Sequence, residues 1–403
     1  MEKTDLGVCN KGFRAGGIRG IGGGKYGMAA IVSGRETTCS AMFTANRIRA
    51  APLLVSMENL ARGHVYGIVA NSGNANAYTG REGLEDARRM AAVAAGELGL
   101  RPENLLVAST GVIGRRLDMG IIEAGVRTLP GVLGTDSGAS LKAAQAIMTT
   151  DRFPKVASVR VELEDGTEVG VGGIAKGAGM IGPDLRHATL LAFLTTDAQV
   201  PAEEIDALLG EAVEESFNMT LVDGDTSTND MVVLLANGAA GNKKTGGLEE
   251  GLGYVTRELA RMIARNGEGA TKLLVIRVEG AKSRSDARRA ARAIGRSSLV
   301  KTAFFGGDPN WGRIVAAAGY SGADFDPERL SLSLRSGGRE AVLVEKGKVL
   351  AFPGTRELAA AEEVIKGEEV EVVLDLRQGG ERATAYSCDM GYDYIRVNAE
   401  YTT

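Results

Sequence analysis

The chain has 403 residues, of which 56 are glycine, three are cysteine and only two are histidine, and its formal net charge is −4. Two histidines cannot build a three-histidine metal site, and the sequence predicts no metal site of another kind. The small net charge and the lack of a long basic run disfavour a nucleic-acid partner.

The three cysteines lie far apart in the sequence, at positions 9, 39 and 388, and form no CxxC pair. This spacing is typical of a protein in a reducing compartment, without a disulfide framework. The first residues lack the apolar stretch of a signal peptide, and no run of about 18 apolar residues suggests a membrane span. We therefore expect a cytoplasmic protein with no membrane partner.

Short apolar runs alternate with helical patterns along the chain, which predicts mixed α/β layers. The predicted elements, in chain order, are strands at 28–32, 65–70 and 105–108 with a helix at 84–98, a hairpin of 159–163 and 168–171, a helix at 201–215, strands at 231–236 and 273–278, an arginine-rich helix at 282–296 and a strand at 370–376. Asp165-Gly166 lies between the hairpin strands and predicts a two-residue turn.

Three stretches that are rich in glycine or asparagine have two interpretations each. Residues 22–27 match GxGxxG, but they precede a predicted strand, whereas a dinucleotide loop follows a strand and opens a helix. A chance match is the preferred interpretation. Residues 71–77 and 306–313 are each predicted either as a structural turn or as the lining of a pocket.

A glycine-rich stretch leads from Lys176 to Ala188-Thr189, and an apolar run follows at once. In one interpretation Thr189 only marks the start of a buried element. In the other, cleavage after Ala188 makes Thr189 a new N-terminus. Its α-amine, whose ordinary pKa is about 7.7–8.0, could then act as the base for its own hydroxyl. Such chemistry needs no histidine, which suits this composition.

An ordered set of motifs extends along the whole chain. They are NKGFRAGGI near the start, NSGNANA at 71–77, STGVIG at 109–114, IMTTD at 147–151, KGAGM at 176–180, ATLLAFLTTDA at 188–198, VDGDTSTND at 222–230, NGEGATKL at 266–273, GGDPNWGR at 306–313 and the terminal YIRVNAEYTT. With these motifs the chain resembles the bifunctional ornithine acetyltransferase / glutamate N-acetyltransferase family of arginine biosynthesis.

The resemblance implies an α/β fold, a layered αββα sandwich like that of N-terminal-nucleophile hydrolases. It implies an α chain of residues 1–188 and a β chain that starts at 189, which would pair into an α2β2 assembly. We expect a catalytic domain at 1–280 and a smaller C-terminal α/β domain at 281–403, whose tail returns to the active site.

The resemblance also implies the reaction and its residues. Thr189 would take the acetyl group from N-acetylornithine and pass it to glutamate, without a cofactor, and acetyl-CoA is an expected co-substrate only in bifunctional members. The family's oxyanion pair falls on Thr110 and Gly111. Its substrate contacts fall on Thr149, Lys176, Thr189, Glu268, Asn398 and Thr403.

The sequence departs from the family pattern just before the expected cleavage site. Family members usually have MIxPNMAT there, whereas this chain has MIGPDLRHAT, which is two residues longer. Cleavage between Ala188 and Thr189 is still expected, and His187 is a candidate to assist it. The alternatives are a related amidase or aminopeptidase with an N-terminal threonine, and a non-cleaving homologue that binds a metabolite.

Overall fold

The structure is a computed structural model, which describes residues 1–24, 26–182 and 190–400. The predictions placed on His187, Ala188, Thr189 and Thr403 lie outside these described residues.

The strands are β1 (Glu2–Thr4), β2 (Phe13–Gly20), β3 (Tyr26–Phe43), β4 (Val65–Asn74), β5 (Leu105–Val112), β6 (Lys155–Glu162), β7 (Glu168–Lys176), β8 (Leu191–Thr196), β9 (Thr220–Leu221), β10 (Met231–Ala236), β11 (Leu273–Ala281), β12 (Ser331–Ser336), β13 (Arg339–Glu345), β14 (Lys348–Val349), β15 (Glu369–Asp375) and β16 (Glu381–Cys388). The helices are α1 (Ile21–Gly24), α2 (Ala51–Arg62), α3 (Gly80–Leu98), α4 (Met119–Thr128), α5 (Ser137–Ala146), α6 (Ala202–Glu214), α7 (Leu248–Arg265), α8 (Arg284–Arg296), α9 (Ser298–Gly306), α10 (Trp311–Gly319), α11 (Arg356–Val364) and α12 (Tyr392–Glu400).

The long strand β3 joins two sets of strands. Its first half pairs with β2 and β4, and β4 continues in parallel to β5. Its second half pairs with β10, which continues through β8, β7 and β6 to β1. Because one strand serves both sets, the chain can fold one set of strands over the other.

The apolar residues of these strands alternate between two cores. Phe193 on β8 and Val233 on β10 share a core with Ile31 of β3 and Leu106 of β5, so this core lies between the two sets of strands. Side chains of alternate strand residues point to opposite faces. The neighbouring residue Ala192 accordingly faces a second core, against helices α6 and α7.

The other set of strands has its own helical cover. A third core joins Met28 of β3 and Val107 of β5 to residues of α2, α3 and α4. The layers therefore run helix, sheet, sheet, helix, which confirms the predicted αββα sandwich. The strands are apolar on both faces because both faces are covered.

The C-terminal part of the chain forms a further sheet, with the order β14-β13-β12-β15-β11-β16-β9. Helices α8 to α11 pack on one face, and α7 contacts β11 and β16 from the other. Both β9 and β11 belong to this sheet although they begin before residue 281. The expected division of the chain at residue 280 stays a prediction.

The predicted hairpin is present as β6 and β7, but its turn is longer than two residues. The Leu163 N–H donates to the Thr167 carbonyl at 2.9 Å, so three residues form the turn. Gly166 has a φ of +79°, and the Asp165 carboxylate accepts the Thr167 N–H at 3.0 Å. A glycine in this conformation closes a three-residue turn that follows the twist of the strands.

Residues 22–24 lie just before β3 and residues 26–27 are its first two residues, as expected for a chance match to a dinucleotide loop. Gly22 and Gly23 have φ values of 60° and 71°, so this short turn does not open a regular helix. Across residues 1–24, 26–182 and 190–400, no helix combines the length and apolar character needed to span a membrane.

Candidate active site

A cavity of about 170 Å³ lies where the ends of β5 and β7 meet the start of β8. Its lining includes the predicted site residues Thr110, Gly111, Thr149, Lys176, Glu268 and Asn398. These six come from segments that are far apart in the sequence, and the fold brings them together. Their roles stay predictions, as do those of Ala188, Thr189 and Thr403, which lie outside the described residues.

Strand pairing places Lys176 beside the segment that follows the expected cleavage site. Lys176 is the last residue of β7 and lies opposite Leu191 on the antiparallel strand β8. Its side chain is largely buried, and its Nζ donates a hydrogen bond to the Thr110 Oγ1 at 3.1 Å. Because the Thr110 oxygen accepts from Lys176, the Thr110 hydroxyl proton is available to another acceptor.

Gly111 lies where β5 approaches the end of β4 very closely. Its φ is +133°, and a β-carbon at this position would lie 2.4 Å from the carbonyl carbon of Gly73. Only glycine fits this backbone without strain. A backbone N–H held here, next to the Thr110 hydroxyl, is a suitable donor for a developing oxyanion.

Alanine at Gly111 is expected to destabilise the protein by at least about 1–3 kcal/mol, since it adds both backbone strain and overlap. Denaturant unfolding of Gly111→Ala checks this. The control is Gly96→Ala, at an exposed position inside α3 where a β-carbon meets nothing within 4 Å. That change should instead stabilise by about 0.5–1 kcal/mol. Unfolding of Gly111→Ala at the wild-type denaturant concentration would contradict the interpretation.

A buried hydrogen-bond network fixes the end of β5 at the cavity wall. The Asn229 Nδ2 donates to the carbonyls of Ala75 and Ser109, at 2.6 and 2.8 Å. The Ser109 hydroxyl in turn donates to the Asn71 Oδ1. The stretch 71–77 therefore has a structural role beside the cavity, and Ala75 also lines it. This network holds the Thr110 and Gly111 backbone in one position.

Asp151 is a buried carboxylate behind the cavity wall. Its Oδ1 accepts from the Lys155 Nζ at 2.5 Å and from the Gly177 N–H at 2.8 Å, and its Oδ2 accepts from the Thr149 N–H at 3.0 Å. Burial by itself would raise the pKa of this carboxyl, but the Lys176 and Lys155 ammonium groups lower it to about 2. Asp151 therefore stays ionised and ties Thr149 to the end of β7.

Glu268 is one of two carboxylates that line the cavity, the other being Asp230. Glu268 follows the end of α7, and its Oε2 accepts from the Asn398 Nδ2 on α12 at 2.9 Å. A β-carbon at Gly179 would lie 2.4 Å from the Glu268 carboxylate, so glycine there lets the carboxylate approach the loop. Lys176 thus brings a positive group to the cavity lining, and Glu268 and Asp230 each bring a carboxylate.

The loop that leads towards the expected cleavage site is anchored before it leaves the described residues. The Asp223 carboxylate accepts the N–H groups of Met180 and Ile181 at 2.6 and 2.8 Å. Burial raises the pKa of Asp223, although these N–H groups act in the opposite direction. Met180 has a φ of 56°, which is uncommon for a residue with a side chain. On the other side of the expected cleavage site, the Leu190 carbonyl accepts a hydrogen bond from the Met231 N–H at 2.9 Å.

Sequence reasoning missed several residues that support the site. Asp151 and Asp223 occur in the motifs IMTTD and VDGDTSTND, so an acidic residue inside an otherwise apolar or small-residue motif was the available signal. Lys155 gave no signal, because a lone lysine before a strand usually lies at the surface. His64 is exposed and contacts Glu36 at 2.8 Å, away from the cavity.

Comparison with known proteins identifies the family. The ArgJ family profile matches residues 12–403. The chain is 51% identical to a glutamate N-acetyltransferase of Methanothermobacter thermautotrophicus, over 98% of this chain and 97% of that protein. It is 47% identical to the arginine biosynthesis bifunctional protein ArgJ of Symbiobacterium thermophilum, over 97% of each chain.

Among solved structures, the arginine biosynthesis bifunctional protein argJ of Bacillus halodurans is 37% identical, with a TM-score of 0.48, over 52% of this chain and 98% of that chain. The match of the family profile to nearly the whole sequence, together with relatives close to half identical over their full length, decides the assignment. This chain belongs to the ArgJ family.

Proposed function

We propose that this chain is a glutamate N-acetyltransferase of arginine biosynthesis, which moves the acetyl group of N-acetylornithine to glutamate. The observation that carries the proposal is the cavity in which the Thr110 hydroxyl, the Gly111 backbone, Lys176 and Glu268 meet Leu190. Thr189 is joined to Leu190 by a peptide bond. The family membership and the names of the relatives support the same reaction.

The charges of the cavity suit N-acetylornithine, and its positive group also suits the α-carboxylate of glutamate. N-acetylornithine and glutamate both carry an α-carboxylate, for which the Lys176 ammonium is a partner. The side-chain ammonium of N-acetylornithine suits the Glu268 carboxylate. A volume of about 170 Å³ is below the range of about 300–1,000 Å³ that is common for drug-sized ligands, in keeping with an amino-acid substrate.

The proposed chemistry has two half-reactions. The Thr189 hydroxyl attacks the acetyl carbonyl while the Thr189 α-amine takes its proton. The Thr110 hydroxyl and the Gly111 N–H donate to the oxyanion, which collapses, breaks the C–N bond and releases ornithine with that proton. The amine of glutamate then attacks the acetyl-threonine ester and gives a proton to the Thr189 α-amine. The α-amine returns this proton to the Thr189 oxygen as the C–O bond breaks, which restores the hydroxyl and releases N-acetylglutamate.

Self-cleavage between Ala188 and Thr189 would supply the free α-amine that this chemistry needs. The products are an α chain of residues 1–188 and a β chain of 189–403, which we expect to assemble as α2β2. Anchored residues lie on both sides of the cleavage site, since Ile181 is held by Asp223 and Leu190 by Met231. We place the enzyme in the cytoplasm, with acetyl-CoA as an additional acetyl donor.

Acetyl transfer is expected when purified protein is incubated with N-acetylornithine and glutamate, and the products should be ornithine and N-acetylglutamate in equal amounts. Omitting glutamate should reduce steady ornithine release to a background rate. Equal release in both samples, with free acetate as the product, would instead identify an amidase. A third sample with acetyl-CoA and glutamate tests the additional donor.

A further inference from the structure

Two lysines and one carboxylate form a buried charge cluster beside the cavity. The side chains of Asp151 and Lys155 are fully buried, and only about a tenth of Lys176 is exposed. Lys176 lines the cavity, whereas Asp151 and Lys155 lie behind its wall. With one negative and two positive groups, the cluster carries one uncompensated positive charge.

Lys155 is the cation that pairs with the carboxylate. Its Nζ lies 2.5 Å from the Asp151 Oδ1, 3.4 Å from the Phe153 carbonyl and 5.2 Å from the centre of the Phe153 ring. A fully buried ammonium group without a carboxylate partner would be costly. Lys155 is therefore the ion-pair partner of Asp151.

Lys176 has a different hydrogen-bond partner. Its charge is near enough to lower the pKa of Asp151, but its Nζ donates to the Thr110 Oγ1, and within the described ranges no carboxylate lies within ion-pair distance of it. The remaining acceptor sites of Asp151 are directed to neutral donors, which are the N–H groups of Thr149 and Gly177 and the Asn266 amide. The net positive charge of the cluster thus lies on the cavity side, in a lining that also contains the carboxylates of Glu268 and Asp230.

We infer that Lys155 is a positioning residue for substrate recognition. By pairing with Asp151, it prevents that carboxylate from forming an ion pair with the Lys176 ammonium. The Lys176 ammonium therefore stays available to the α-carboxylate of the substrate. In the absence of Lys155, Asp151 and Lys176 would neutralise each other, and the cavity would lose its attraction for an anion. This inference rests on the proposed function.

The test uses Lys155→Met, which removes the charged nitrogen but keeps an unbranched side chain of nearly the same length, and the double variant Asp151→Asn/Lys155→Met. Lys155→Met has no net charge in the cluster, whereas the double variant has the wild-type charge of plus one. A hydrogen bond to a charged group corresponds to about 10–100-fold in affinity. We therefore expect the KM for N-acetylornithine to rise about 10–100-fold in Lys155→Met, with a smaller change in kcat, and to fall back towards the wild-type value in the double variant.

A substrate without the carboxylate distinguishes a loss of carboxylate recognition from a general loss of activity. The ratio of kcat/KM for N-acetylornithine to that for its methyl ester should be large in the wild type, close to one in Lys155→Met and large again in the double variant. A purely structural role of Lys155 would make the double variant no better than Lys155→Met and would leave the ratio unchanged in both, which would overturn the inference.

Failure of the proposed function and failure of the inference about Lys155 give different results. If the wild type transfers no acetyl group, the proposed function fails; if it does and the ratio stays constant, only the inference about Lys155 fails. Thermal unfolding of each variant reports whether it folds. Should Lys155→Met not fold, Lys155→Gln takes its place, because it also removes the charge but can donate a hydrogen bond to the Asp151 carboxylate. Its acid-to-ester ratio should be close to one, and a wild-type ratio would overturn the inference.

Discussion

Replacing Thr189 by alanine is expected to leave the chain whole, at the 42.1 kDa of the full sequence, and to abolish acetyl transfer. Without the hydroxyl there is no nucleophile for either the peptide bond or the acetyl group. Without cleavage the α-amine stays in a peptide bond and cannot act as the base. Intact mass measurement and an ornithine-release assay of Thr189→Ala check both parts.

Serine at position 189 is the matched control, because it keeps both the hydroxyl and, after cleavage, the α-amine. Thr189→Ser should be cut into two chains and should retain transfer activity. The assignment of Thr189 would be wrong if the alanine variant were cut at the same bond, or if it transferred acetyl groups at the wild-type rate.

Replacing Thr110 by valine is expected to lower kcat by about 10²–10³-fold, the usual cost of one oxyanion donor. Valine keeps the branched shape, so the cavity should keep its size and the KM should change less. The Lys176 Nζ donates to the Thr110 oxygen at 3.1 Å, which leaves the Thr110 proton for the oxyanion. Steady-state kinetics on fully cleaved protein separate this effect from slower self-cleavage.

Thr110→Ser is the control for the oxyanion prediction, because it restores a hydroxyl at the same position. It should recover most of the lost kcat. A valine variant with wild-type kcat, or a serine variant as slow as the valine variant, would remove the Thr110 hydroxyl from the proposed oxyanion site.

The mixed α/β character was predictable because its signals are local, whereas the αββα layering followed only from the resemblance of the motifs. Apolar residues such as Leu191 and Val233 occur in short runs that are buried on both faces, and covered strands produce this pattern. The prediction of a two-residue turn at Asp165-Gly166 was wrong because the same dipeptide also ends a three-residue turn. The register of the flanking strands decides between the two turns. The register depends on contacts that are distant in sequence.

The candidate site was predictable only through its motifs. Thr110, Lys176 and Glu268 look like ordinary turn or surface residues when each is taken alone, and their meeting in one cavity depends on β5, β7 and the end of α7. The supporting charges are harder to predict. Whether Lys155 is buried depends on Asp151, and no periodicity encodes a pair that lies behind a cavity wall.

The proposed chemistry requires that Thr189 becomes an N-terminal nucleophile that holds the acetyl group. The most direct test is intact mass spectrometry of the protein after incubation with N-acetylornithine in the absence of glutamate. We expect two chains, with the chain that starts at residue 189 heavier by one acetyl group, lost again when glutamate is added. Ornithine release from an unmodified chain, or an acetyl group on another residue, would show that Thr189 is not the residue that holds the acetyl group.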